Sequence, residues 1–235
     1  MTLVLAGRAA YAKRGVHGGL ARHLLGGLFW RDRRARGAVE AALRLRAAGV
    51  ATPEVLAAGC RSVLGPLAAY VLVTEAIPDG VSLQSFLSGQ PLPRRRRLLA
   101  RGAGRSVRAL HDAGFVHADL NLANLVAADR GERTGPAGEP AIHVIDLDGG
   151  CFRPRVGFAA RRRNLRRLLR SYEKWIAPVS PLDRRDALAF LRAYCGGDEA
   201  SLRRFLGDLA GPSARFRWRR LGWRRRRLVA GRPIS

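Results

Sequence analysis

The chain has 235 residues, 47% of them apolar, enough to bury a core of its own, and wholesale disorder is excluded. Its 43 Lys and Arg against 18 Asp and Glu give a net charge of +25, a balance that favours polyanionic partners. Cys60, Cys151 and Cys195 are odd in number and show no C-x-x-C spacing, which excludes a disulfide framework and argues against a zinc site.

Thr2 to Lys13 holds two short apolar runs broken by Gly7, the pattern of a hairpin or strand remnant. Arg33 to Ala48 predicts a helix with Val39, Ala42, Leu43 and Arg46 on one face and Gly49 at its stop. Val63 to Glu75 contains the β-rich run Tyr70 to Thr74, and Pro78-Asp79-Gly80 predicts a turn after it. Arg94 to Ala113 places Leu99, Ala103, Val107 and Leu110 on one helical face, ending at Gly114. Leu122 to Ala128 and Ile142 to Leu147 are apolar runs joined by a polar, Gly/Pro-rich stretch, which predicts two buried strands and a long loop. Helices are predicted at Arg161 to Trp175, Leu182 to Tyr194 and Ser201 to Leu209. Arg215 to Arg227 then interleaves eight arginines with Phe216, Trp218 and Trp223. No stretch approaches the roughly 18 apolar residues of a membrane span, and the expected compartment is the cytoplasm.

Between helix and strand, His117-Ala118-Asp119-Leu120-Asn121-Leu122-Ala123-Asn124 sets an aspartate five residues before an asparagine. After the long loop comes Ile145-Asp146-Leu147-Asp148-Gly149. Phosphoryl transfer from ATP needs a carboxylate at the acceptor hydroxyl and oxygen ligands for Mg²⁺. Asp119 supplies the first, and Asn124 with Asp146 supplies the second. This is the catalytic-loop logic of protein kinases. Lys13 follows Tyr11-Ala12 in a V-A-x-K-like frame and is the candidate for the α/β-phosphates, with Glu40 as its helix partner. Val73 to Ile77 falls where a hinge belongs, and by position the Glu75 carbonyl and Ile77 amide would meet the adenine edge.

With these residues in place the sequence resembles the lipopolysaccharide kinase family, and within it the Kdo (3-deoxy-D-manno-octulosonic acid) kinases. His117 to Asn121 is similar to their His-Ala-Asp-Leu-Asn loop, and Ile145 to Gly149 to their I-D-F-D motif, with Leu147 for Phe. Gly18 to Arg22 and Asn164 to Ser171 resemble two further segments, so the likeness runs from about residue 10 to 175. The resemblance implies an α+β, protein-kinase-like two-lobed fold. Residues 1–75 would form a small N-terminal lobe, shortened because only twelve residues precede Lys13. Residues 76–235 would form a mainly helical C-terminal lobe. It implies ATP and Mg²⁺ as cofactors, and a Kdo-lipid A precursor as the phosphate acceptor. It also implies a peripheral position on the cytoplasmic face of the inner membrane.

Each residue also has an ordinary role. Asp119 and Asn124 suit turns and caps; Asp146 and Asp148 could end a surface strand; Lys13 could sit on an exposed edge. Glu40 could pair with neighbouring arginines, and the Gly15 to Gly19 segment reads as a turn rather than a phosphate cradle. His117 reads as structural, holding backbone, while His17, His23, His111 and His143 show no ligand spacing and read as incidental. The Arg/Trp tail has three readings: a solvated helix, a patch for an anionic membrane surface, or a nucleic-acid contact, with the membrane preferred. The alternative function is a non-catalytic basic scaffold or nucleic-acid binder of the same fold, or a kinase for another sugar or for protein.

Overall fold

Gly7, at φ +76°, turns strand β1 (Thr2–Leu5) back on β2 (Arg8–Arg14), and the two pair antiparallel with Leu3 opposite Ala10. The computed structural model describes residues 2–5, 7–14, 29–30, 33–64, 67–128 and 139–210. Strand β5 (Leu67–Glu75) is the centre of the first sheet. Its Val71–Glu75 half pairs with β2, its Leu67–Ala68 end pairs with β3 (Phe29–Trp30), and β4 (Val55–Leu64) runs along its other edge. Helix α1 (Arg33–Ala47) packs on this sheet.

The predicted face of α1 is corrected by the structure. Ala35, Ala38, Ala41, Ala42 and Leu45 are buried, whereas Leu43 is 58% exposed. In an alanine-rich helix Leu43 and Leu45, two positions apart, give no clear stripe, and close approach to the sheet selects the small residues. The β-rich run is also longer than predicted, since it forms a hairpin of β4 and β5. A second tie fastens the segment between α1 and β4 to Val144, more than ninety positions along the chain. The Val144 amide donates to the Ala51 carbonyl at 2.9 Å, and Thr52 Oγ1 donates to the Val144 carbonyl at 2.7 Å.

Beyond Glu75 helices dominate. Helix α2 (Leu83–Ser88) is capped by Ser82, whose side chain accepts from the Ser85 amide at 3.1 Å. Helix α3 (Pro93–Asp112) buries the predicted Leu99, Ala103, Val107 and Leu110. Each fully buried leucine of such a face contributes about 1.5–3 kcal/mol. Strand β6 (Gly80–Ser82) pairs with β8 (Leu125–Ala128), which pairs with β9 (Ile142–Val144); β7 (Phe115–Val116) pairs with β10 (Cys151–Phe152). Helices α4 (Phe158–Trp175) and α5 (Arg184–Cys195) follow. A Cβ on Gly104 of α3 would lie 2.4 Å from the Phe190 carbonyl of α5, so only glycine permits this closeness of the two helices. The completely buried Asp186 carboxylate accepts from Arg96 at 3.1 Å and from the Asp183 amide, closing a capping box at the start of α5.

The chain divides into two compact units, up to Gly197 and from Asp198. In the second, Asp198 Oδ1 accepts from the Ala200 and Ser201 amides, both at 3.0 Å, to start helix α6 (Glu199–Ala210), in which Leu202 and Phe205 are buried. The three cysteines carry no disulfide, and no described helix is long and apolar enough to cross a membrane. The Gly15 to Gly19 and Gly18 to Arg22 segments, His17, His23 and the Arg215 to Arg227 tail lie outside the described residues.

Candidate active site

A cavity of about 520 Å³ lies between the first sheet and the helical part, and its lining brings together Lys13, Glu75, Ile77, Asn124 and Asp146. These come from β2, the end of β5, the 3₁₀ turn Leu122–Asn124 and the loop after β9. Leu72, Val126 and Ile145 give it apolar walls of the kind that accept a flat ring. At the segment after β5, the Ala76 amide is spent on the Ala9 carbonyl at 2.9 Å, while the Ile77 carbonyl receives the Gly80 amide at 3.0 Å. The Ile77 amide makes no bond with the described residues.

Asp146 has φ +59°, a left-handed conformation that a non-glycine residue holds only when its surroundings demand it. Lys13 Nζ donates to its Oδ1, joining positions 133 apart in sequence. The expected Lys13–Glu40 pair is therefore corrected: Glu40 is exposed, does not line the cavity, and accepts from Arg44 one turn on at 3.1 Å. The cause is the alanine face of α1. With Ala38, Ala41 and Ala42 turned to the sheet, residue 40 is turned away.

Asp119 is exposed and lies outside the lining, yet it is tied to it. Asn124, buried, donates from Nδ2 to the Asp119 carbonyl at 2.9 Å, which leaves its Oδ1 as the atom for a cation. Asn121 donates to Asp119 Oδ2 at 3.0 Å and accepts from the amides of Ala123 and Asn124, holding the loop around the carboxylate. Among the described residues no group of three His, Cys, Asp or Glu could hold a metal. The amide oxygen of Asn124 and the carboxylate of Asp146 are hard oxygen donors. Two protein ligands of that kind, completed by phosphate oxygens and water, suit Mg²⁺.

His117 has the structural role read from the sequence. Its Nδ1 accepts from the Asp119 amide at 3.0 Å and its Nε2 donates to the Ile145 carbonyl at 3.0 Å, which ties the Asp119 loop to the residue before Asp146. Burial pushes its pKa down, in keeping with the neutral ring these two bonds require. Asn164 of α4 stands behind it. Its Oδ1 accepts from the His117 amide at 3.1 Å and its Nδ2 donates to the His117 carbonyl at 2.9 Å. His111 is not incidental. It is 1% exposed, its Nε2 lies 3.1 Å from Asn164 Oδ1 and its Nδ1 2.8 Å from the Tyr194 hydroxyl. Burial lowers its pKa to about 4 and raises that of Tyr194 to about 12.

Sequence reasoning also missed Tyr70, whose hydroxyl donates to Asp148 Oδ2 at 2.7 Å, and Ser171, whose Oγ accepts from the Leu122 amide at 3.1 Å. Asn164 left one signal, as the only amide side chain within an Arg/Leu-rich helix.

A model of the lipopolysaccharide kinase (Kdo/WaaP) family matches residues 5–194. The chain belongs to that family. It is 31% identical over 150 residues to the 3-deoxy-D-manno-octulosonic acid kinase of Vibrio cholerae serotype O1, covering 64% of this chain and 57% of that protein. It is 32% identical over 176 residues to the lipopolysaccharide core heptose(I) kinase WaaP of Pseudomonas aeruginosa, covering 73% and 62%. The chain thus spans less than two thirds of the length of these Kdo/WaaP relatives. A solved structure of WaaP in complex with acyl carrier protein matches with a TM-score of 0.61 at 28% identity, over 89% of this chain and 82% of that one. The fold is α+β and kinase-like.

Proposed function

We propose that this Kdo/WaaP family chain transfers the γ-phosphoryl group of ATP to a sugar hydroxyl of a lipopolysaccharide core, and that the sugar is Kdo on a lipid A precursor. The observation that carries this reading is the cavity that gathers Lys13, Asn124 and Asp146 beside the Glu75–Ile77 segment. In the step, the acceptor oxygen forms a bond to the γ-phosphorus as the bond to the β,γ-bridging oxygen breaks. The hydroxyl proton passes to the Asp119 carboxylate, and ADP leaves with the electron pair. Lys13 holds the α/β-phosphates once nucleotide displaces it from Asp146, and the Glu75 carbonyl and Ile77 amide take the adenine edge. Asn124 and Asp146 would hold Mg²⁺, which neutralises phosphate charge when bound.

A heptose acceptor is the second reading, favoured by the 32% identity to the heptose(I) kinase. Incubation with labelled ATP and, separately, a Kdo-terminated and a heptose-terminated acceptor decides between them. Label on the Kdo-terminated acceptor supports the first reading and label only on the heptose acceptor overturns it. No transfer to either, with nucleotide binding intact, overturns the sugar-kinase reading as a whole. We further propose a peripheral site of action on the cytoplasmic face of the inner membrane. The net charge of +25 and the Arg/Trp composition of residues 215–227 support it.

A further inference from the structure

Several surface arginines in the first unit take a carboxylate. Arg8 meets Glu54 and Glu75, both at 2.8 Å; Arg44 meets Glu40; Arg108 and Arg161 share Asp112. One group does otherwise. Arg97, Arg101 and Arg105, four residues apart, form a row along one face of α3, and Arg185 and Arg192, seven apart, form a facing row on α5. The close approach at Gly104 sets the rows side by side. Between them lies a groove of about 430 Å³, lined by these five arginines, Glu139, Leu188, Ala189 and Ala193. It shares no residue with the cavity of the candidate active site.

The charges in the groove do not balance. The single lining carboxylate, Glu139, is 2% exposed and already paired with Arg105. Asp183, the cap of α5, feels the charges of Arg96 and Arg97, and Asp186 is committed to Arg96. Arg101, Arg185 and Arg192 form no ion pair with the described residues, and all three are exposed. Burial, and after it the charge of Arg101, push the Arg105 guanidinium below its ordinary value. Like charges at i,i+4 destabilise a helix, and a concave surface of one sign focuses its field on whatever enters.

We propose that this groove between α3 and α5 is a second anion site, which takes a multivalent phosphate-bearing group. Several guanidiniums around one recess match a phosphate, whose oxygens accept paired N–H donors from more than one direction. A volume of about 430 Å³ fits a phosphorylated headgroup or a short polyphosphate, and suits it better than the broad face of an acidic protein. The site is independent of the active-site reading, since it shares none of its residues.

The test titrates sodium tripolyphosphate into the full chain by calorimetry, for wild type, Arg101→Ser/Arg185→Ser and Arg163→Ser, an exposed arginine that lines neither the groove nor the candidate active site. The double variant should bind at least about tenfold more weakly, and Arg163→Ser should bind like wild type. The double variant without ligand should melt no lower than wild type, because a repulsion has been removed. If it does not fold, Arg192→Ser, an exposed single change, should weaken binding about threefold. Retention on vesicles with phosphatidate, against vesicles of phosphatidylcholine alone, gives the source: a loss in the double variant there assigns a lipid headgroup, and a loss only with tripolyphosphate assigns a soluble anion. Unchanged tripolyphosphate binding in the groove variants, or an equal loss in Arg163→Ser, overturns the proposal. So does a groove that binds polyglutamate and not tripolyphosphate.

Discussion

Asn164 occupies both backbone polar groups of His117, accepting from its amide at 3.1 Å and donating to its carbonyl at 2.9 Å. A helix side chain thereby stands in for a β-ladder partner at the residue that opens the Asp119 loop. The histidine is fixed in place and can bridge the Asp119 amide and the Ile145 carbonyl.

Asn164→Ala should therefore leave two buried backbone groups and Nε2 of the His111 ring without their partner. Each buried group left unsatisfied costs about 1–3 kcal/mol. Urea unfolding should show a loss of roughly 3 kcal/mol. A loss below about 0.5 kcal/mol would mean that water takes over the role.

Asp119→Asn should keep the fold and nucleotide binding, since the loop is held through the Asp119 backbone and the neighbouring amides. Phosphoryl transfer should fall by about 10²- to 10⁴-fold. Near wild-type turnover of the sugar acceptor removes Asp119 from the reaction.

Asp146→Ala should abolish Mg²⁺-dependent nucleotide binding. Tyr70→Phe removes the hydroxyl that donates to Asp148 and should weaken binding by at most about tenfold. Fluorescent-nucleotide titrations with and without Mg²⁺ compare them. A larger effect for Tyr70→Phe would make Asp148 the metal-facing carboxylate.

Stability should fall in mild acid. The His111 pKa drops from 6.5 to about 4 on folding, so the unfolded chain binds a proton in this window that the folded one refuses. Its contribution is fully present above pH 6.5 and is lost as pH falls toward 4, amounting to about 3 kcal/mol. His117, shifted the same way, adds to the slope. His111→Gln should flatten the melting temperature between pH 6.5 and 4, and an unchanged slope would assign the loss to other groups.

Truncation after Gly211 removes the eight arginines of residues 215–227 with Phe216, Trp218 and Trp223. Each arginine near an anionic surface is worth about 1 kcal/mol, so sedimentation with anionic vesicles should drop and become less salt-sensitive. Circular dichroism checks the fold of the shorter chain. Equal vesicle binding by the folded truncated form excludes the tail as an anchor.

The candidate site residues legible in the sequence are those whose spacing lies within one segment. Asp119 and Asn124 are five apart, and Asp146 ends an apolar run, so local pattern suffices. Helix α3 was readable because Leu99, Val107 and Leu110 share one face with Ala103. Strand β4 was not, because Ala57, Ala58, Gly59 and Cys60 have weak strand propensity and the extended form is imposed by pairing with β5. The pairing of Lys13 with Asp146 rather than Glu40, and of His111 with Asn164 and Tyr194, joins segments 53 to 133 residues apart. Such choices are made by packing, and no single segment encodes them.

The bonds from Ala51 and Thr52 to Val144 have a mechanical consequence. Among the described residues the backbone attaches the first sheet to the rest of the unit at two places, the covalent passage through Glu75 to Ile77 and this stitched crossing, while the Lys13–Asp146 and Tyr70–Asp148 side-chain bonds span the cleft. Once those side-chain bonds part, two fixed points leave a rigid body one rotation, about the line that joins them. Residues near that line, such as Thr52 and Val144, would scarcely move, and those far from it would sweep the widest arc. An opening cleft would thus swing like a door on two pins, keeping the floor beneath Asn124 still.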